Sequence, residues 1–298
     1  ITEINFQQNV GSPSSEVFSI PIQNQFNIEP FLDTININSQ GFVGTRGLAV
    51  DIEFADIDSD GDYDLFCSGI VGEKTGTTWY NDTLFASIFF YENIGDGNAP
   101  NFSSPILNPF GLDAGAFSYY VAPIELVDID NDGDLDLISV EYSYGNYYFD
   151  LVFRENIGSS TSPQFATTTN NLAVGPFGIP IQSIDAVDIN NDGDFDLFGA
   201  AYGGSLFYFE NSGSSSSPNF SPPANSPFNL SSFTDTSGRG SSTLIIEFCD
   251  IDDDGDEDFF WIAADSFIYT DSSWFFQENI SLPSNTNQIY IDENIEIY

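Results

Sequence analysis

The chain has 298 residues, of which 46 are Asp or Glu and 4 are Lys or Arg; it has no His, and its formal charge is −42 at pH 7. That charge makes nucleic acid and anionic membranes poor partners. The missing His removes the usual ligand of zinc, copper and iron and the commonest general base. The length allows a large core in one or two domains, and a 16% aromatic content suits strand-rich packing.

In chain order, the first element is Ile4–Asn9, a short strand running into Asn of the kind that closes every later repeat. Residues 1–11 are set apart as a surplus strand with no repeat before it. Repeat 1 spans 12–95 and carries Pro30-Phe31, an alternating strand Ile52–Ala55, the acidic loop Asp56-Ile-Asp-Ser-Asp-Gly-Asp-Tyr-Asp64, an apolar strand to Cys67 and the end Phe90-Tyr-Glu-Asn93. Repeat 2 spans 96–160 with Pro109-Phe110, the loop Asp128-Ile-Asp-Asn-Asp-Gly-Asp-Leu-Asp136, the strand Leu137–Val140 and the end Phe153-Arg-Glu-Asn156. Repeat 3 spans 161–213 with Pro176-Phe177, the loop Asp188-Ile-Asn-Asn-Asp-Gly-Asp-Phe-Asp196 and the end Tyr208-Phe-Glu-Asn211. Repeat 4 spans 214–281 with Pro227-Phe228, the loop Asp250-Ile-Asp-Asp-Asp-Gly-Asp-Glu-Asp258, the strand Phe259–Ile262 and the end Phe276-Gln-Glu-Asn279. A strand tail, 282–298, follows.

The loops start at 56, 128, 188 and 250, so successive spacings are 72, 60 and 62 residues. Helical stop and start signals are absent, and each repeat reads as three or four short strands with turns between them. A unit of that size cannot bury its own faces, so neighbours must stack. Three places ahead of each loop stands an acid: Glu53, Glu125, Asp185 or Glu247. These four are expected at equivalent places on four inner strands, on the opposite face from Ile52, Ile124, Ile184 and Ile246.

Four or five carboxylates at alternate places in one tight turn repel each other unless a cation sits among them. The candidate ligands are Asp56, Asp58, Asp60, Asp62 and Asp64; Asp128, Asp130, Asp132, Asp134 and Asp136; Asp188, Asn190, Asp192, Asp194 and Asp196; and Asp250, Asp252, Asp254, Asp256 and Asp258. The first, third, fifth and ninth side chains are expected to coordinate, and the seventh residue to add its backbone carbonyl. Gly61, Gly133, Gly193 and Gly255 stand sixth, where the chain needs a positive φ. An EF-hand closes with a Glu at position twelve, but here that position is Cys67, Ser139, Gly199 or Trp261, and the flanks are β-like. Hard oxygen ligands favour calcium, and magnesium prefers to keep its waters in a stiffer octahedron. One such loop alone could be a solvated acidic turn; four in matching contexts predict four Ca²⁺ sites. Four such ions would add eight charges to −42 and leave −34, which fits a salty or calcium-rich exterior.

The Asp-x-Asp-x-Asp-Gly-Asp-x-Asp loops with their Glu-Asn-Ile-Gly strand ends resemble the FG-GAP/VCBS repeat family, whose best-known members include the α-integrin propeller. The resemblance implies β-propeller blades, each with calcium in a loop between two strands, and carries the ligand role to the four loops named above. Asn190 departs from the usual third-position Asp, which implies a weaker site there. The family commonly forms seven-bladed propellers, and four loops do not supply seven blades. The expected fold is all-β: one repeat domain over 1–298, a β-propeller-like array of four calcium-loop repeats with terminal half-repeats.

Cys67 and Cys249 read either as two small buried thiols or as one bond between the first and last repeats. The chain begins at Ile1 rather than Met, as a processed chain or a fragment does, and no apolar run nears the ~20 residues of a membrane helix. In the tail, Gln288–Asp292 and Asn294–Tyr298 read as strands of an unfinished repeat. They are expected to share a sheet with the N-terminal strand, within one molecule or between molecules; the second case would polymerise the protein head to tail.

Three functions compete: a structural or adhesive module, a lectin-like glycan-binding propeller using aromatics such as Trp79, Trp261 and Trp274, and an enzyme such as a glycoside hydrolase or lyase. Arg46, Lys74, Arg154 and Arg239 are the only basic side chains, and no acid outside the repeat pattern stands out as a catalytic candidate. The expectation is a non-enzymatic, calcium-binding protein, secreted or on the cell surface. Its expected partner is itself or a cell-surface protein or glycan.

Overall fold

The computed structural model describes residues 34–38, 41–73, 83–96, 99–112, 123–143, 148–166, 170–171, 181–201, 204–214, 216–225, 243–250, 257–264, 272–277 and 295–296, with positions 5–6, 10, 19–20, 22–23, 26, 28 and 228. Among these the chain is all-β: nineteen strands and one 3₁₀ turn at Pro109–Gly111. No helix among the described residues is long and apolar enough to cross a membrane.

The strands form five sheets in chain order. β1 (Asn5–Phe6) and β2 (Ile22–Gln23) make a two-stranded ribbon. β3 (Thr34–Asn38), β4 (Gly41–Ala55), β5 (Asp64–Glu73), β6 (Thr83–Tyr91) and β7 (Ile106–Leu107) make a five-stranded sheet. β8 (Ile124–Val127), β9 (Asp136–Ser143), β10 (Tyr148–Arg154) and β11 (Asn170–Asn171) make the next. β12 (Ile181–Val187), β13 (Asp196–Ala201), β14 (Ser205–Phe209) and β15 (Ala224–Asn225) follow. The last sheet is β16 (Thr243–Cys249), β17 (Asp258–Ala264), β18 (Ser272–Gln277) and β19 (Ile295–Glu296).

Within each sheet, neighbours in sequence are neighbours in space, so every sheet is a meander. The acidic loop always joins the same two strands: β4 to β5, β8 to β9, β12 to β13 and β16 to β17. The outermost strand of each sheet lies beyond the Glu-Asn turn, in residues that the sequence pattern places in the following segment.

This offset explains the chain ends. Phe6 pairs with Ile22 as Phe90 pairs with Ile106 and Tyr208 with Ala224, always sixteen residues apart. The N-terminal ribbon thus has the pairing offset of the last two strands of those sheets. Ile295 and Glu296 pair with Phe276 and Phe275, completing the fourth sheet. Asn5–Phe6 and Ile295–Glu296 thus pair in different sheets, while Gln288–Asp292, the other strand expected in the tail, lies outside the described residues.

The chain forms two compact units, the first of residues 1–128, 133–147 and 152–170, the second of 129–132, 148–151 and 171–298. In the first unit, Ala55, Ile57, Phe66, Ile88 and Phe90 pack with Ile124, Leu126, Leu137 and Phe165 in one buried cluster. Ile28, Leu65, Cys67 and Tyr91 form a second cluster, joined by Phe26 and Phe102. Phe66 and Leu65 point to opposite faces of β5, so one strand feeds both clusters. In the second unit, Val187, Phe198, Ala200 and Leu206 pack with Ile246, Phe259 and Trp261. Large buried side chains thus come from two sheets at once, as stacking repeats require.

The Pro-Phe signal has a packing role. Phe110 (φ 54°) and Phe228 (φ 53°) both adopt the left-handed region that bulky residues avoid. That backbone aims each ring at an aromatic of the third strand: Phe110 lies 5.0 Å from Phe90, and Phe228 lies 5.0 Å from Tyr208, centroid to centroid. The other two copies, at Pro30-Phe31 and Pro176-Phe177, lie outside the described residues.

First strands of successive sheets are tied through side chains. Within the first unit, the Ile124 N–H donates to Asp51 Oδ2 at 2.9 Å. Within the second, the Ile246 N–H donates to Ser183 Oγ at 3.2 Å, and the Phe248 N–H donates to Asp185 Oδ2. The four acids ahead of the loops hold equivalent register: Glu53 opposite Phe66, Glu125 opposite Ile138, Asp185 opposite Phe198 and Glu247 opposite Phe260. Their surroundings differ. Asp185 is buried, and burial followed by the nearby Glu247 carboxylate pushes its pKa well above the usual carboxylate range. Glu53 and Glu125 are half-buried. Across the strand, Ile52 is 51% exposed where Ile124 and Ile246 are buried.

Phe198 is fully buried between two sheets, and Ile157 is 56% exposed. Phe198→Ala is expected to cost about 3–5 kcal/mol in urea unfolding, and Ile157→Ala less than about 0.5 kcal/mol.

Candidate metal centres

Each acidic loop leaves a first strand, turns within nine residues and enters a second strand. Two places in it need left-handed backbone. The fourth residue has a φ of 57° at Ser59, 56° at Asn131 and 56° at Asn191; Asn tolerates this region well. The sixth has a φ of 97° at Gly61, 95° at Gly133 and 91° at Gly193. A Cβ at these glycines would meet no atom within 4 Å, so conformation, and not space, demands Gly.

The curl is held by the first Asp. Asp56 Oδ1 and Oδ2 accept from the N–H groups of Asp60 and Gly61, both at 3.1 Å. Asp188 does the same for Asp192 and Gly193, both at 3.0 Å. Asp128 Oδ2 accepts from Gly133 N–H at 3.1 Å. This turns the first, third and fifth side chains toward one point. One oxygen each from Asp56, Asp58 and Asp60 lie within 4.8 Å of one another, and so do oxygens of Asp128, Asp130 and Asp132.

The ninth Asp is anchored from outside the loop. Asp64 Oδ1 accepts from Asn93 N–H, Asp136 Oδ1 from Asn156 N–H and Asp196 Oδ1 from Asn211 N–H, each at 2.7 Å and buried. Each of these Asn residues closes the turn after the third strand. Asn93 Oδ1 accepts from Gly95 N–H at 3.1 Å and from Asn101 N–H at 2.9 Å; Asn156 and Asn211 repeat the pattern. A Cβ on Gly95, Gly158 or Gly213 would fall 2.3 Å from a carbonyl oxygen four residues on, so here close approach demands Gly. The Glu-Asn-x-Gly repeat is visible in the sequence, but its tie to the ninth Asp is not, because 29, 20 and 15 residues separate the partners.

With one oxygen tied to Asn93, the other oxygen of Asp64 faces the loop. Asp64 Oδ2, Asp58 Oδ1 and Asp62 Oδ1 are buried and accept no hydrogen bond. Asp130 Oδ1, Asp134 Oδ1 and Asp136 Oδ2 are the corresponding buried atoms of the second loop. A buried carboxylate oxygen without a donor costs several kcal/mol unless the group is protonated or meets a cation. The donor set fits a divalent hard cation: Asp56, Asp58, Asp60, Asp62 and Asp64 offer oxygen alone. The seventh residue was expected to give only its backbone carbonyl. Its buried Asp62 Oδ1 is a further candidate donor.

The electrostatics agree. Burial pushes the Asp64 carboxyl up to about 7; the Asn93 N–H opposes this, and the carboxylates of Asp58, Asp60 and Asp62 add to it. Burial and the carboxylates of Asp60 and Asp56 also raise Asp58.

In the third loop, Asp188, Asn190, Asp192, Asp194 and Asp196 lie on the same curl, where Asp192 Oδ1 accepts from Asp194 N–H at 3.0 Å, but the side-chain contacts differ. Asn190 Nδ2 donates to Asp196 Oδ2 at 3.3 Å, and Tyr208 OH donates to the same oxygen at 2.8 Å. Burial pushes Asp196 up only to about 6, with the Asn211 and Tyr208 donors opposing. In the fourth loop Asp250 and Asp258 flank the strands, while Asp252, Asp254 and Asp256 lie outside the described residues. Cys67 and Cys249 are free thiols, each raised by burial.

Asn211 Oδ1 accepts from the N–H groups of Gly213 at 3.2 Å and Asn219 at 2.9 Å. Asn211→Ala is expected to destabilise the protein by at least about 2 kcal/mol in urea unfolding, since two backbone donors lose their partner. Asn211→Asp keeps the acceptor and is expected to cost less.

Residues 128–199, from the first Asp of the second loop to Gly199 beyond the third, match the family model of the FG-GAP-like repeat. A search of curated proteins finds no match to the chain. The matched segment holds two acidic loops, the Asn156 turn and the strands around them, so over residues 128–199 the chain is similar to FG-GAP-like repeats.

Proposed function

We propose that this protein is a calcium-loaded, β-propeller-type structural or adhesive protein that acts outside the cell and catalyses no reaction. The observation that carries the reading is the first loop, where Asp58 Oδ1, Asp62 Oδ1 and Asp64 Oδ2 are buried without a donor beside the ring of Asp56, Asp58 and Asp60. Calcium accepts six to eight such oxygens at about 2.3–2.6 Å and tolerates irregular geometry. Binding only to the folded state, it stabilises the chain. A net charge of −42 suits surroundings where calcium is plentiful and salt screens repulsion. The sequential antiparallel sheets and FG-GAP-like repeat support propeller blades. The missing His and scarce cations leave little acid–base chemistry.

A second reading, binding of a neutral glycan, is favoured by a cleft of about 360 Å³ lined by Phe54, Asp56, Tyr63, Leu126, Asp128 and Asp134. Tyr63 is 66% exposed there, an amphipathic face of the kind used in recognition. Saccharide binding abolished by Tyr63→Ala would establish it.

Calorimetric titration of chelator-treated protein tests the main reading. Uptake of calcium with a rise in melting temperature is expected, and no uptake at millimolar calcium overturns it. Acidity supplies a second check. The Asp64 pKa is raised in the folded state, so its contribution to stability is present below the unfolded value and lost as pH rises through about 7. Calcium-free protein is therefore expected to melt higher at about pH 5.5 than at about pH 8. Calcium affinity is expected to move the opposite way, rising with pH as the carboxyl ionises.

A further inference from the structure

The third loop differs from the first at two places that act on one atom. In the first loop the third residue is Asp58, whose buried Oδ1 has no donor, and Asp64 Oδ2 is likewise bare. In the third loop the corresponding residue is Asn190. Its orientation is set by the backbone: Asn190 Oδ1 accepts from Asp192 N–H at 2.9 Å, so its Nδ2 faces Asp196 Oδ2. An amide nitrogen is a donor and cannot ligate a cation.

The second place is the third strand. Phe90 sits 4.9 Å from Phe66 and 5.0 Å from Phe110; Tyr208 sits 5.1 Å from Phe198 and 5.0 Å from Phe228. The two rings occupy the same pocket in the same packing. They differ by one oxygen, and that oxygen donates to Asp196 Oδ2 at 2.8 Å. The sequence has Phe90, Phe153 and Phe276 at this place in the other repeats, and Tyr only in the third. Asn at the third loop position is likewise confined to the third loop. Two exceptions to the repeat thus meet on the oxygen that is bare in the first loop. Among the described residues, no buried side-chain oxygen of the third loop lacks a hydrogen bond.

We infer that Asn190 and Tyr208 replace the cation in the third loop, which holds its shape with no metal bound, while the first loop depends on one. The inference rests on the calcium reading for the contrast between the loops, but the hydrogen-bonded lock itself does not. Neutral donors satisfy a carboxylate oxygen without removing its charge, so the third loop keeps its curl over a range of calcium concentrations that empties the first. The third repeat is therefore indifferent to calcium, and a fall in calcium loosens the first and third loops unequally.

Hydrogen–deuterium exchange of the full chain, read on peptides covering 56–64 and 188–196, tests this. On chelation the first loop is expected to exchange about tenfold faster or more, and the third to change less than about twofold. Equal acceleration in both loops overturns the inference. Tyr208→Phe removes one oxygen from a pocket that already accepts Phe in the first repeat. It is expected to speed exchange at 188–196 at least about fivefold without calcium, since hydrogen bonds to charged groups are among the stronger ones. No change there also overturns it. The double substitution Asn190→Asp with Tyr208→Phe recreates the bare oxygens of the first loop and is expected to add one calcium per chain in calorimetry. Unchanged stoichiometry counts against the inference. A first loop indifferent to chelator overturns the calcium reading instead, and the Tyr208→Phe exchange then decides the lock alone.

Discussion

One hydrogen bond organises each repeat. The ninth residue of the acidic loop gives one carboxylate oxygen to the N–H of an Asn at the end of the third strand, at 2.7 Å in all three described copies. A carboxylate has two oxygens, and tying one sets the direction of the other. The bond therefore joins the loop between the first two strands to the turn after the third, and it aims the free oxygen into the loop. The Asn in turn holds the turn through its side chain, and the Gly two residues later lets the chain pass within contact of its own backbone. Loop, strand end and turn are one polar unit resting on an aromatic core.

That core depends on the same strand pair. Phe66 and Phe198 stand two residues beyond the anchored Asp and are fully buried. Phe90 and Tyr208 stand three residues before the anchoring Asn. A ring inserted from a left-handed Phe110 or Phe228 completes each cluster. Because the polar and apolar units share residues, any ion that draws the loop carboxylates together also steadies the strands that build the core. This coupling gives metal binding a physical route to fold stability.

The carboxylates carry the opposite tendency. Burial raises Asp64 and Asp58 because ionised oxygens in a confined loop repel and lose water. The first loop leaves that tension for a cation to relieve. The third relieves it with an amide and a phenol on the same scaffold. Loops of the same acidic spacing therefore differ at two side chains that meet on one oxygen, with the same strand pairing around them.

Much of this was legible in the sequence. The acidic spacing, the sixth-position Gly and the alternation before each loop are local signals, since turn conformation and strand pleat are decided by adjacent residues. They placed the loops between strands, and the four acids ahead of them in matching register. The sequence also marked Asn190 as a departure. Other features were decided only by the tertiary structure. The link from Asp64 to Asn93 and the aim of Tyr208 at Asp196 join residues distant in the chain. Sequence spacing cannot specify them, because the segment between the second and third strands varies in length. The partner of the last described strand was not legible for the same reason. Strand composition announces that Ile295–Glu296 will pair, but only the tertiary structure sets it against Phe275 and Phe276 of β18.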